Sequence, residues 1–214
     1  MSKIVIFAGL ERCDILYHIV SILAKSKENP KIMVVDNSKT HDLYNIIERP
    51  DDFEIAMLDS AVVLKSKYVD DEFNYDYVFI YQGNNLSKAN EHLYIADYVY
   101  LQTDYTPVSI QLLKAFLEEA IQNDQQLEDK QAVLIFRDNV TSKIKESMIL
   151  DSMVAGVREP FVLPYDSKDY EAYISLLYNG SQKLKATPEF ISVIVQILVD
   201  LTKKSDKEVK KMLK

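Results

Sequence analysis

Two rhythms alternate along the chain. Short runs rich in Val, Ile, Tyr and Phe are apolar on both faces, and longer stretches between them repeat their apolar residues every three to four positions. Residues 3–9 (KIVIFAG) have the first character. A central strand of a parallel sheet requires it, because helices cover both of its faces. Residues 13–27 have the second, with Ile15, Ile19, Ile22 and Leu23 on one helical face. The same reading predicts strands at 31–38, 53–58, 62–64, 75–83, 97–103, 131–138 and 159–166. It predicts helices at 40–48, 87–96, 108–124, 142–153, 167–180 and 188–204. Pro107 suits a first helical turn, where no N–H is needed, and Gly180 suits a helix end. Strands joined by crossover helices predict an α/β fold: a three-layer sandwich with a mostly parallel central sheet flanked by helices.

Composition narrows this picture. With 214 residues, 48% of them hydrophobic, the chain can bury one substantial core. No Gly/Ser/Pro-rich tether divides it, so 1–204 is expected to be a single domain and 205–214 a solvated tail or helix extension. A net charge of -8 repels phosphate backbones and argues against a nucleic-acid partner. The single cysteine, Cys13, allows neither a disulfide framework nor a cysteine-based zinc cluster, and it fits a reducing compartment. No secretory leader pattern opens the sequence, and the apolar run 190–201 is too short to span a bilayer. A cytoplasmic location is expected. His18, His41 and His92 are far apart, no metal-ligand spacing occurs, and no metal site is expected. A G-x-S-x-G nucleophile elbow is also missing.

In parallel sheets, ligands sit beyond the carboxyl ends of the strands. The first such turn runs Ala8, Gly9, Leu10, Glu11, Arg12, Cys13, Asp14. A phosphate loop there would need glycines for a tight path and a lysine for charge. This turn has one glycine and no lysine, and Glu11 and Asp14 bring negative charge to the helix N-terminus. Such acids stabilise the helix dipole without a ligand, and Asp14 is a candidate cap. Arg12, between two acids, reads as a surface ion pair. Cys13 reads as a buried, inert thiol, since the neighbouring acids oppose thiolate formation. After 75–83, where a magnesium-nucleotide enzyme carries an acid, Tyr81 stands instead. Asp36, after the apolar run IMVV, has two readings: a strand-end turn or cap residue, or a relic metal- or water-positioning acid.

In order, these pieces resemble the ParA/MinD ATPases with their deviant phosphate loop. Residues 75–120 resemble the family's second-switch region, 31–38 the strand bearing its Asp-x-Asp, and 161–180 its late IPYD segment and following helix. The resemblance spans nearly the whole chain and implies a P-loop NTPase-like fold. It breaks at the chemistry. The family loop, Lys-Gly-Gly-x-Gly-Lys-Thr/Ser, corresponds here to Ala8–Asp14, without either lysine or the hydroxyl that binds magnesium. Asp36 matches the first acid of the Asp-x-Asp and Ser38 replaces the second. Tyr81 replaces the switch acid, and Gly83, Asn84 and Asn85 replace Pro-Pro-Gly.

The resemblance with these losses implies a pseudo-ATPase: not an enzyme, but an adaptor or regulator in a bacterial secretion, pilus, conjugation or positioning assembly. It implies no cofactor. The alternative is a nucleotide-binding ATPase or switch with an unconventional phosphate loop, and only that alternative admits ATP and magnesium. A protein partner or homodimer is expected, with membrane contact at most weak or through a partner. The chain has 14 tyrosines and no tryptophan. Tyr94, Tyr98, Tyr100 and Tyr105 are candidates for an interface, where tyrosine is enriched, against the plainer reading that they pack inside.

Overall fold

The computed structural model describes residues 2–47, 55–65, 74–85, 92–122, 132–140, 158–180 and 184–213. Its strands are β1 (Lys3–Gly9), β2 (Ile32–Asp36), β3 (Ile55–Leu58), β4 (Ala61–Lys65), β5 (Tyr77–Gly83), β6 (Tyr98–Thr103), β7 (Ala132–Asn139) and β8 (Arg158–Pro164). Its helices are α1 (Asp14–Ala24), α2 (Asp42–Ile46), α3 (Pro107–Gln122), α4 (Ser167–Asn179), α5 (Pro188–Thr202) and α6 (Asp206–Met212). The helix expected at 142–153 lies outside the described residues; of the one expected at 87–96, only 92–96 are described.

The strands form one sheet in the order β3-β4-β2-β5-β1-β6-β7-β8. Every described pairing is parallel except the β3–β4 hairpin at one edge. β1 sits between β5 and β6, which explains its continuous apolar run: neither face meets water. On one face Val5, Phe7, Val34, Phe79 and Ile135 join Ile15, Ile19 and Leu23 of α1 and Ile194, Ile197 and Leu198 of α5. On the other, Ile4, Ile6, Ala8, Val35, Ile80 and Leu134 join Leu113, Phe116 and Leu117 of α3. These are the three layers predicted from the sequence.

The closing helices are capped by their own residues. The Thr187 side chain accepts from the Phe190 amide at the start of α5, and Ser205 and Glu208 form a reciprocal capping box on α6. α6 turns Val209 fully into the core, a burial worth about 1.5–3 kcal/mol. The terminal segment expected as a tail or extension is therefore a docked helix. Among the described residues, no helix is long and apolar enough to cross a membrane.

Candidate functional site

The strand order reverses around β1, so the turn after β1 is the crevice where this architecture places ligands. Gly9 begins that turn at φ 108°, and a β-carbon there would lie 1.9 Å from the Gln102 carbonyl oxygen of β6. Only glycine permits this approach. The Leu10 amide donates to the same carbonyl at 3.0 Å, and Gln102 Nε2 donates to the Arg12 carbonyl oxygen at 3.0 Å. The loop is thus fastened to β6 at both ends.

Beyond it lies a buried ion cluster. Asp14, the first residue of α1, accepts two hydrogen bonds from Arg137 of β7, Nη1 to Oδ1 and Nη2 to Oδ2, both at 2.7 Å. Arg12 Nη2 donates to Asp14 Oδ2 at 3.1 Å, and its Nη1 meets Asp138 at 3.3 Å. Arg137 Nη1 also donates to Gln102 Oε1 at 3.0 Å. Asp14 and Arg137 are each 2% exposed. The Arg12 guanidinium lies 4.1 Å from the centre of the Tyr173 ring, with Tyr170 behind it at 5.8 Å. Burial pushes the Asp14 carboxyl up, but Arg137 and then Arg12 outweigh it and hold the group well below the carboxylate range. Arg12 is correspondingly raised: burial lowers it, and Asp14 and Asp138 overcome that. The expectation of a surface ion pair at Arg12 is therefore corrected, because Arg12 is only 9% exposed and closes the cluster.

Cys13 precedes α1 without capping it and is fully buried. Burial first, then Asp14, Asp42 and Asp36, push its thiol up. Glu11 reaches across to the turn between β2 and α2, accepting from Thr40 Oγ1 at 3.1 Å. Its side chain lies against Gly83, where an added β-carbon would be 2.9 Å from Glu11 Cγ and 3.0 Å from Ser38 Cβ. His18 joins Asp14, Asp169 and Tyr173 around a cavity of about 10 Å³, room for a single water.

Asp36 is fully buried and occupied locally. It accepts from the Ser38 amide at 3.0 Å, the Ser38 hydroxyl at 2.6 Å and the Tyr44 amide of α2 at 2.9 Å. Burial raises its pKa and these hydrogen bonds oppose the rise. Its geometry is that of a strand-end turn residue that also anchors α2. Tyr81 is fully buried, and its hydroxyl has no hydrogen-bond partner among the described residues. Burial, then Cys13 and Asp36, hold its phenol well above the usual value. Gly83 turns at φ 51°, Asn84 is exposed, and Asn85 Nδ2 donates to the Asn37 carbonyl at 3.1 Å.

The four tyrosines proposed for an interface do not share a surface. Tyr98 is 4% exposed, with its hydroxyl on the Asp200 carbonyl, and Tyr100 is fully buried against Phe7 at 4.9 Å between ring centres. Both belong to β6 and, two residues apart, point to the same covered face of the sheet, so both pack inward. Tyr105 leans on Phe136 at 5.3 Å, and only Tyr94 is largely exposed.

Sequence reasoning missed Arg137. Its signal was a basic residue inside the apolar run AVLIFRD, at a strand's carboxyl end, where an unpaired charge would be costly. Among the described residues, no group of three or more His, Cys, Asp or Glu side chains could hold a metal. Nor does this arrangement of the loop fit a triphosphate, since carboxylates of Asp14 and Glu11 stand where an anion would need donors.

No family model matches the chain, and no curated protein matches it. Solved structures do. The MinC:MinD cell division protein complex of Aquifex aeolicus matches at TM-score 0.64 and 13% identity, over 95% of this chain and 97% of that one. The chain has the ParA/MinD fold. A Borrelia burgdorferi B31 protein assigned to plasmid partition, bound to AMPPNP, matches at TM-score 0.62 and 13% identity, over 95% and 100%. A ParA family ATPase of Chlorobium tepidum TLS matches at TM-score 0.59 and 13% identity, over 99% and 96%. These matches correct the expectation that the chain is not an enzyme. The structures that share its ParA/MinD fold include an ATPase and a chain holding AMPPNP.

Proposed function

We propose that this chain works through protein–protein contacts, as an adaptor or regulator built on the ParA/MinD fold, in a bacterial secretion, pilus, conjugation or positioning assembly. One observation carries the reading: the crevice after β1 is filled by the chain's own charges, Asp14 between Arg137 and Arg12, with Glu11 laid against Gly83. Recognition then falls to the surface. Tyr165 and Tyr170, about half exposed with ring centres 6.5 Å apart, form an aromatic pair on that surface, and Tyr is enriched where proteins meet. The MinC:MinD match is a fold neighbour found with a protein partner. Affinity capture from the native host, with and without ATP and magnesium, tests the proposal. A defined partner recovered in both conditions, and lost with Tyr165→Ala/Tyr170→Ala, supports it. Recovery of no partner in either condition refutes it.

A second reading draws on the AMPPNP-bound match. In it the chain is a nucleotide-dependent switch whose loop opens by parting Asp14 from Arg137, with Arg12 and Asp36 carrying the site and Asn84 and Asn85 contacting base or ribose. Titration calorimetry with ATP and magnesium is decisive: micromolar binding with turnover supports this reading and displaces the first.

A further inference from the structure

At the carboxyl end of α1, a groove of about 820 Å³ runs between that helix and α6. Its floor is apolar: Ile22, Leu184, Met212 and Leu213 are each half-buried and packed against the core. The last two share a face of α6 with buried Val209, at positions i, i+3 and i+4, so the helix that docks through Val209 also offers apolar surface to the groove. The rim is basic. Four lysines, Lys25, Lys27, Lys204 and Lys211, line it against two glutamates, Glu28 and Glu208, in a chain whose net charge is -8. Lys204 Nζ meets Glu28 Oε1 at 2.7 Å, tying one wall to the other. Both are partly exposed, so this tie is weak and open to competition from another carboxylate.

We propose that this groove is a docking site for an acidic amphipathic helix of a protein partner. An apolar floor between basic rims matches a helix that presents apolar residues at i, i+3, i+4 and i+7 with acids on either side. The charge argument rests on a rim that gathers four lysines in a chain of net charge -8; Lys25 is paired with Asp59 at 3.2 Å and Lys204 with Glu28, which leaves Lys27 and Lys211 to meet a partner's acids first. The partner's acids would take Lys27 and Lys211 and compete with Glu28 for Lys204. The proposal deepens the protein-contact reading and rests on it.

The test pans a displayed library of 16-residue peptides on the full chain. The expected result is enrichment of acidic sequences with helical apolar spacing. A synthetic copy of the leading peptide should bind about tenfold more weakly to Leu213→Asp, and similarly to Lys27→Glu/Lys211→Glu, with affinity falling as salt rises. The lysine positions are exposed, so the charge-reversed variant keeps its fold and serves as the second arm. Enriched peptides that are basic or neutral, or binding unmoved by both variants, overturn the proposal. So does binding of phosphatidylserine vesicles through the same residues, or a dimer that both variants dissolve: the occupant is then a lipid surface or a second copy. If the charge-reversed variant still captures the host partner, the groove proposal fails while the protein-contact reading stands.

Discussion

Arg137→Ala removes the donor that neutralises Asp14 from within the core. In the folded protein Asp14 would keep Arg12, at 3.1 Å, and the Ile15 amide, at 3.0 Å, and lose both 2.7 Å bonds. Asp14 is 2% exposed, so bulk water does not reach it to replace them. Breaking a buried pair from one side typically costs about 3–5 kcal/mol, because the charge left behind stays desolvated. For a domain of this size that is a fall in Tm of roughly 6–20 °C. Urea unfolding at pH 7, followed by far-UV circular dichroism, measures it. The pH dependence carries a sign. In the wild type the Asp14 carboxyl is held below its usual value, so its stabilisation is full above that value and is lost only as pH falls beneath it. Without Arg137 burial dominates, the carboxyl titrates higher, and acid unfolding begins at a higher pH. The double variant Asp14→Leu/Arg137→Met replaces the pair with apolar groups and should recover at least half of the loss. A cost below about 1 kcal/mol for Arg137→Ala, or simple addition of the two single losses in the double variant, refutes the claim that the pair is buried and coupled.

Gly9→Ala places a β-carbon 1.9 Å from a main-chain oxygen, at φ 108°, which no side-chain adjustment relieves. The expected result is a drop in Tm of more than about 10 °C or loss of the folded species, seen by thermal melting. Tyr81→Phe deletes a buried hydroxyl with no partner among the described residues, so the variant should be neutral or up to about 1 kcal/mol more stable in urea. A loss above 1 kcal/mol would show that the hydroxyl is satisfied in solution. Burial lowers the His18 imidazole to about 4. The folded value lies below the unfolded one, so stability is full above about pH 6.5 and declines by at most about 3 kcal/mol as pH falls toward 4. An NMR titration of the His18 ring with a midpoint above 6 would contradict this.

The strands were legible because β1, β2 and β5 carry apolar residues on both faces, a pattern only a covered central strand needs. α1 and α5 were legible from their helical stripes. The ion cluster was not, because its partners are 123 residues apart and nothing local says that the end of β7 faces the start of α1. Asp14 looked like a helix-dipole acid and Arg12 like half of a surface ion pair, and only the tertiary structure shows both to be buried. Tyr98 and Tyr100 misled for a related reason. Tyrosine suits both an interface and a core, and the choice depends on whether β6 is covered, a tertiary fact. Asp36 could be read either way from the sequence, and its three hydrogen bonds to the local turn and α2 show how it is occupied here.

The central place of β1 has a consequence for the protein's birth. Lys3 pairs with Tyr77, 74 residues further on, so the strand leaves the ribosome long before its neighbour on that side exists. At ordinary rates of synthesis the wait is roughly 4–15 s, during which a stretch of Val, Ile and Phe has neither edge paired. The other edge waits longer still, for β6. The middle of the sheet is therefore made first and completed late, and nascent chains of this protein should depend on a holding chaperone until residues 77–103 have emerged.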